Sequence, residues 1–285
     1  MPEGRRHINI TAGGRPIGAG RIPNLFPGSE REMQTAYFAQ SLLLGFVLAG
    51  AGGAFSMMPQ TGLSLSPEQI ALRQVVLLTN KERTAHGLPP LKLQENLSAA
   101  AAWMAQDMAS RSYFAHTDHE GRSIDPRLPA FGYGGYSYIG ENIAAGQESP
   151  MAAVSDWMQS PHHRENLLSP DYSEIGVGYA DRPDSLYHSY WVQDFGSRFD
   201  VYPVVIDNEA PVTRAPEVSL YIYGAGWARQ MRLSNDGLNW TDWEPYQPHR
   251  AWTLAPGFGT RTVFVELRNG QTIRQTEDSI ELIGE

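Results

Sequence analysis

Apolar residues recur at helical spacing in the first half of the chain and alternate as in strands in the second half. Ser66-Pro67-Glu68-Gln69 supplies an N-cap, a proline at the first helical position and a glutamine three residues after the cap, which together form a capping box. The helix it opens is expected to run to about His86, with Ala71, Val75 and Leu78 on its apolar face, and Gly87-Leu88-Pro89-Pro90 ends it. A second helix is predicted over 96–110, where Leu97, Ala100, Ala101, Met104 and Met108 form an alanine-rich stripe suited to close packing. Ser149-Pro150 starts a third helix carrying Val154 and Trp157, and Ser160-Pro161 starts a short fourth. Two alternating runs follow, Ile175/Val177/Tyr179 and Leu186/His188/Tyr190/Val192. The turn residues Asp181-Arg182-Pro183-Asp184 lie between them, so the runs should pair as a hairpin. The fold class expected over 67–201 is therefore α+β, with helices packed on an antiparallel sheet.

Beyond Pro203 helical periodicity stops. Residues 202–216 have the composition of a linker. Val218, Leu220 and Ile222 alternate, as do Val263, Val265 and Leu267, and Asp236-Gly237 and Asn269-Gly270 are hairpin-turn dipeptides. The stretch 217–285 is read as a small all-β, Ig-like sandwich. Its Trp227, Trp240, Trp243 and Trp252 invite a carbohydrate-binding reading. A module this small also needs large side chains to fill its core, and that is the favoured role.

At the other end, residues 33–67 contain no charged residue. Their core, 36–58, is long enough for a transmembrane helix, and Ala49-Gly50-Ala51 equally suits a signal-peptide cleavage site. Five arginines precede this segment (Arg5, Arg6, Arg15, Arg21 and Arg31), and the next basic residue is Arg73. The positive-inside rule thus expects 1–35 to be a disordered cytoplasmic tail, 59–66 a short linker, and the rest exported. The expected location is the cell membrane with an extracellular C-terminal region, or secretion if the segment is cleaved.

Composition narrows the function classes. A net charge of −9 with no dense basic run argues against nucleic acid as a partner. The absence of cysteine removes disulfides, thiolate-bound zinc and thiol catalysis.

Candidate chemistry gathers at His116, Glu141 and His163, spaced 25 and 22 residues apart. Two imidazoles and a carboxylate suit Zn2+ or another divalent cation, with a fourth position left for water or substrate. The same groups can also act as acid and base without a metal.

The settings of these residues are specific. Tyr113-Phe114-Ala115-His116, Gly140-Glu141-Asn142-Ile143-Ala144, Trp157-Met158-Gln159-Ser160-Pro161-His162-His163-Arg164-Glu165-Asn166, Glu174-Ile175-Gly176-Val177-Gly178 and Trp191-Val192-Gln193-Asp194-Phe195-Gly196 occur in that order. Together with Asn80-Lys81-Glu82-Arg83 and Gly87-Leu88-Pro89-Pro90-Leu91, they resemble the CAP superfamily (cysteine-rich secretory proteins, antigen 5, pathogenesis-related 1) in its bacterial SCP-like form. The resemblance implies an α-β-α sandwich with a cleft lined by two histidines and two acids. His116, Glu141 and His163 match three of those positions, and the fourth falls on Ser160, which departs from the pattern and also suits a helix N-cap. Glu165 or Glu174 could serve as the second acid, and His162 is expected at the rim because it points about 100° from His163. Asp118 and His119 read as loop residues, and Asn142 and Asn166 as partners of backbone groups. Tyr133, Tyr136 and Tyr138 could line a groove but more commonly fill a core.

The reading that follows is an exported CAP protein binding a small-molecule, lipid, glycan or protein ligand at the cell surface. The competing readings are a metal-dependent or His/Glu-assisted hydrolase and an adhesin working through the β-module. No single substrate is implied, because one fold hosts many functions.

Overall fold

The computed structural model describes the backbone of residues 7–12 and all of residues 66–284. The segment 36–58 lies outside the described residues, among which no helix is long and apolar enough to cross a membrane.

Helix α1 (Pro67–Ala85) begins at the predicted capping box, with the Ser66 hydroxyl accepting from Gln69 N and the Gln69 side chain accepting from Ser66 N. Strand β2 (Lys92–Leu93) and helix α2 (Glu95–Arg111) follow, with α2 capped by the Gln94 carboxamide, which accepts from Asn96 N and Leu97 N. A short helix α3 (Ile124–Arg127) leads to strand β3 (Tyr136–Ala145). Helices α4 (Pro150–Gln159) and α5 (Pro161–Leu167) precede the hairpin of β4 (Glu174–Asp181) and β5 (Ser189–Arg198), which pair as expected. Strand β5 starts three residues later than the apolar run suggested, because His188 takes a left-handed conformation (φ 66°) in the turn.

These strands form one sheet in the order β1-β3-β5-β4-β2, where β1 is His7–Ala12 in parallel pairing with Tyr138–Ile143 of β3. This corrects the expectation of a disordered tail at this point.

Side chains alternate across the sheet, producing two cores. Helix α2 covers one face, packing Ala101, Met104 and Met108 on Ile139, Ile143 and Val192. Helices α1 and α4 cover the other, packing Val76, Val154 and Trp157 on Ile175, Val177 and Trp191. On β4, Gly176 and Gly178 face α2 so closely that an added Cβ would lie 2.2 Å from the helix backbone.

The C-terminal region contains a five-stranded sheet and a three-stranded sheet around a second apolar core. The larger sheet is formed by β7 (Val212–Thr213), β9 (Gln230–Ser234), β10 (Glu244–Pro245), β12 (Gly259–Asn269) and β13 (Thr272–Leu282), and the smaller one by β6 (Val204–Ile206), β8 (Glu217–Ile222) and β11 (His249–Thr253) in the order β11-β8-β6. The predicted Asn269-Gly270 turn joins β12 to β13. Residues 202–216, expected to be a linker, instead include the buried strand β6 (Val204–Ile206), whose three apolar side chains are in the core.

The two regions lie in one compact unit. Lys92 of β2 pairs with both Glu209 and Asp278, Asn80 donates to Asn208 O (3.1 Å), and Tyr223 OH donates to Pro90 O (3.0 Å). Asp207, Asn208 and Glu209 carry φ of 44°, 59° and 65°, a left-handed run that is costly for non-glycine residues and is held by these contacts. Burial, together with the nearby Asp278 charge, pushes the Glu209 carboxyl up to about 7, against the pull of Lys92.

Candidate functional site

The loop after α2 carries His116. Asp107, near the end of α2 and almost fully buried, gathers this loop by accepting from Arg111 Nε (2.9 Å), Tyr113 OH and His119 N (3.1 Å), with His119 Nδ1 at 2.8 Å. Asp118 tightens the following turn by accepting from Glu120 N (3.0 Å) and Arg122 N (2.8 Å). Asp118 and His119 therefore hold the loop, as their sequence setting suggested.

The His116 ring is fixed by Nδ1, 2.7 Å from Glu141 Oε1. Glu141 is fully buried on β3, and its other oxygen accepts from Arg127 Nη2 at the end of α3. Directly opposite Glu141 in the β3/β5 register is Asp194, also fully buried, with Oδ1 3.8 Å from the same Arg127 nitrogen. Glu141 and Asp194 share the α2 face because each has neighbours, Ile143 and Val192, two residues away in that core. The site is thus a line of four groups: His116, Glu141, Arg127 and Asp194.

Electrostatics separates the two acids. Burial opposes ionisation of Glu141, but the Arg127 charge and then the His116 hydrogen bond outweigh it and hold this carboxyl below its usual range. Burial and then the Glu141 charge push Asp194 well above its usual range, against the pull of Arg127. With His116 Nδ1 committed to Glu141, Nε2 is the polar atom left over, and it has no hydrogen-bond partner among the described residues.

Titration of Asp194 gives a signed expectation. A group with a raised folded pKa contributes stability below its unfolded value, about 3.9, and loses it as pH rises toward the folded value. The wild type should therefore lose stability relative to Asp194→Asn as pH rises above about 4, by up to about 1.4 kcal/mol per pH unit. Urea unfolding across that range measures it, and parallel pH profiles would contradict the assignment.

The remaining candidates are dispersed. His163 is buried on α5, whose His163 O accepts from Asn142 Nδ2 (3.1 Å) on the opposite face of β3 from Glu141. Asn166 donates to Glu141 O (3.2 Å), so both asparagines serve backbone groups as expected. His162 is exposed and 3.8 Å from exposed Glu165, a surface pair. Glu174 accepts from Tyr133 OH (2.7 Å) and pairs with Arg198, and Ser160 is the N-cap residue of α5 without a side-chain capping bond. Tyr133 and Tyr136 stack in the core. A shallow hollow lined by Met158, Arg164, Glu165 and Leu168 includes neither His116 nor Glu141.

In the β-module the tryptophans have partners. Trp243 is 4.7 and 4.1 Å from the guanidiniums of Arg232 and Arg268, Trp240 is 5.0 Å from Arg232, and Trp227 stacks on Tyr202. These contacts favour the packing role over sugar stacking.

Residues 76–195 match the pattern of the cysteine-rich secretory protein family, CAP. This region is a CAP domain. The chain is 42% identical over 123 residues to the uncharacterized protein YkwD of Bacillus subtilis, a match covering 43% of this chain and 46% of that protein. It is 35% identical over 127 residues to the uncharacterized membrane protein YlbC of the same organism, covering 45% and 34%. The chain thus spans less than half the length of these relatives. Among solved structures, an extracellular SCP-domain protein of Bacillus anthracis aligns at 29% identity and TM-score 0.41, covering 47% of this chain and 45% of that one. An outer surface protein of Borrelia burgdorferi aligns at 22% identity and TM-score 0.42, covering 48% and 98%.

The CAP resemblance implied a divalent cation at His116, Glu141 and His163, and the residues present do not fit one. Both Glu141 oxygens are engaged by His116 and Arg127, and the His163 backbone carbonyl is bound by Asn142, the neighbour of Glu141 whose side chain points to the other face of β3. Among the described residues no three His, Asp or Glu side chains gather as a metal set. A divalent ion about 4 Å from a guanidinium would also be repelled by about 8 kcal/mol at an effective dielectric near 20.

Arg127 and Asp194 were absent from the sequence candidates. Asp194 had a readable signal: an acid inside the apolar strand Trp191-Val192-Gln193-Asp194-Phe195 must find a buried partner. Arg127 had none, since its setting, Asp125-Pro126-Arg127, looks like any exposed turn.

Proposed function

We propose that this is an exported protein whose CAP domain binds a ligand outside the cell through the cleft at His116, with the two-sheet module, read as Ig-like, rigidly attached behind it. Support for export comes from the uncharged stretch at 33–67 and from relatives described as extracellular, outer-surface and membrane proteins. The observation that carries the site is His116 Nε2, held in place by Glu141 and without a partner among the described residues. An imidazole in this state accepts a hydrogen bond from a ligand hydroxyl or ammonium.

The same His/Glu pair has the form of a general base with its orienting acid. The hydrolase reading would rest on water as nucleophile and gains nothing from Ser160, which lies at the start of α5 where that helix meets the face of β3 opposite Glu141. Binding is therefore favoured over catalysis, and the adhesin reading is weakened by the Trp–Arg contacts of the β-module.

The full chain should be offered lipid vesicles, peptidoglycan fragments and a peptide library in separate arms, with mass spectrometry of the recovered material. The expected result is uptake of one class, lost in His116→Ala, without bond cleavage. Undiminished uptake by His116→Ala would remove the cleft from the account, and turnover would move the protein to the hydrolase class.

A further inference from the structure

We infer that Arg127 is the resident cation of the CAP cleft and that its guanidinium bars divalent metals from it. Two carboxylates, Glu141 and Asp194, are placed directly opposite one another in the β3/β5 register, on one face and both fully buried. Such a pair needs a positive partner, because two buried anions side by side repel each other and lose their hydration. Three kinds of partner are available in principle: a proton, a metal ion or a basic side chain. This chain uses the third: Arg127 Nη2 pairs with Glu141 and stands 3.8 Å from Asp194 Oδ1.

The guanidinium is built in rather than adventitious. Arg127 is 2% exposed, ends α3, and sends Nη2 to Glu141 and toward Asp194 while Nη1 lies 3.4 Å from Met104 Sδ. A guanidinium fixed at a helix end supplies the counter-charge of Glu141 without a loading step. Its removal would leave Glu141 and Asp194 facing each other without a cation, and a divalent ion is then the positive partner two neighbouring carboxylates can share. The metal affinity of this cleft is therefore set by one side chain outside the expected His/Glu positions.

The test is zinc uptake by the full-length protein, measured by elemental analysis after dialysis and by zinc-dependent change in Tm. Wild type and His116→Ala should take up equal background zinc. Arg127→Gln should gain roughly one zinc per chain with a rise in Tm, and Arg127→Gln/Glu141→Gln should lose that gain. The inference is overturned if wild type holds about one zinc per chain that His116→Ala loses. It is equally overturned if folded Arg127→Gln binds no more than wild type. Should Arg127→Gln fold only with zinc supplied, the inference stands. Should it fold under neither condition, the wild-type and His116→Ala pair decides on the same criterion.

Discussion

Arg127→Met is expected to lower the free energy of unfolding by about 3–5 kcal/mol, the range for removing one partner of a buried ion pair. Methionine fills much of the same volume, so the loss comes from charge rather than from a cavity. Glu141 would remain fully buried with only the His116 hydrogen bond, beside a second carboxyl group. The double variant Arg127→Met/Glu141→Gln should recover part of the loss, because no ionised carboxylate is then left unpaired. Urea denaturation of the full chain measures both, and a single-variant loss below about 1 kcal/mol would show that Arg127 is not the main partner of Glu141.

Gly178→Ala is expected to cost more than about 4 kcal/mol, beyond the usual range for a point change. An alanine Cβ at this position would lie 2.2 Å from the backbone of Ala101 and Ala102 in α2, and 2.3 Å from the Ala101 carbonyl oxygen. Backbone atoms cannot swing aside like a side-chain tip, so α2 would have to lift from the sheet. That would open the core shared by Ala101, Met104 and Val192 and displace the loop carrying His116. Loss of the cooperative thermal transition, or a large fall in Tm, is the expected readout. A Tm within a few degrees of wild type would mean that α2 does not pack at the described distance.

Much of the CAP domain was legible because its signals are local. Ser66 and Gln69 mark the start of α1 within four residues, the alanine-rich stripe of α2 states how closely it packs, and the β4/β5 hairpin follows from alternation and a turn cluster. Gly176 fits against Leu97 and Ser98 of α2 and Gly178 against Ala101 and Ala102, although only the structure shows the two sets meeting.

The site was legible in part. His116 and Glu141 meet as their motifs suggested, yet Glu141 orients His116 instead of offering a metal ligand. The difference arises because the groups that fix its charge, Arg127 and Asp194, are 14 and 53 residues away and come together only through sheet register. The linker expectation at 202–216 failed for a related reason. Proline and acidic residues gave the segment a linker's composition, but Val204–Ile206 found a sheet, and Glu209 found Lys92 far away in sequence.

The claim on which the site rests is that Glu141 holds His116 through Nδ1 and leaves the buried Nε2 without a partner among the described residues. Nitrogen-15 NMR of the eight imidazoles, with His116→Ala identifying its signals, measures this directly. The expected spectrum has the His116 proton on Nδ1 and a pyridine-type Nε2 at a pH where the ring is neutral. A His116 proton found on Nε2, or exchanging rapidly between the two nitrogens, would contradict the account.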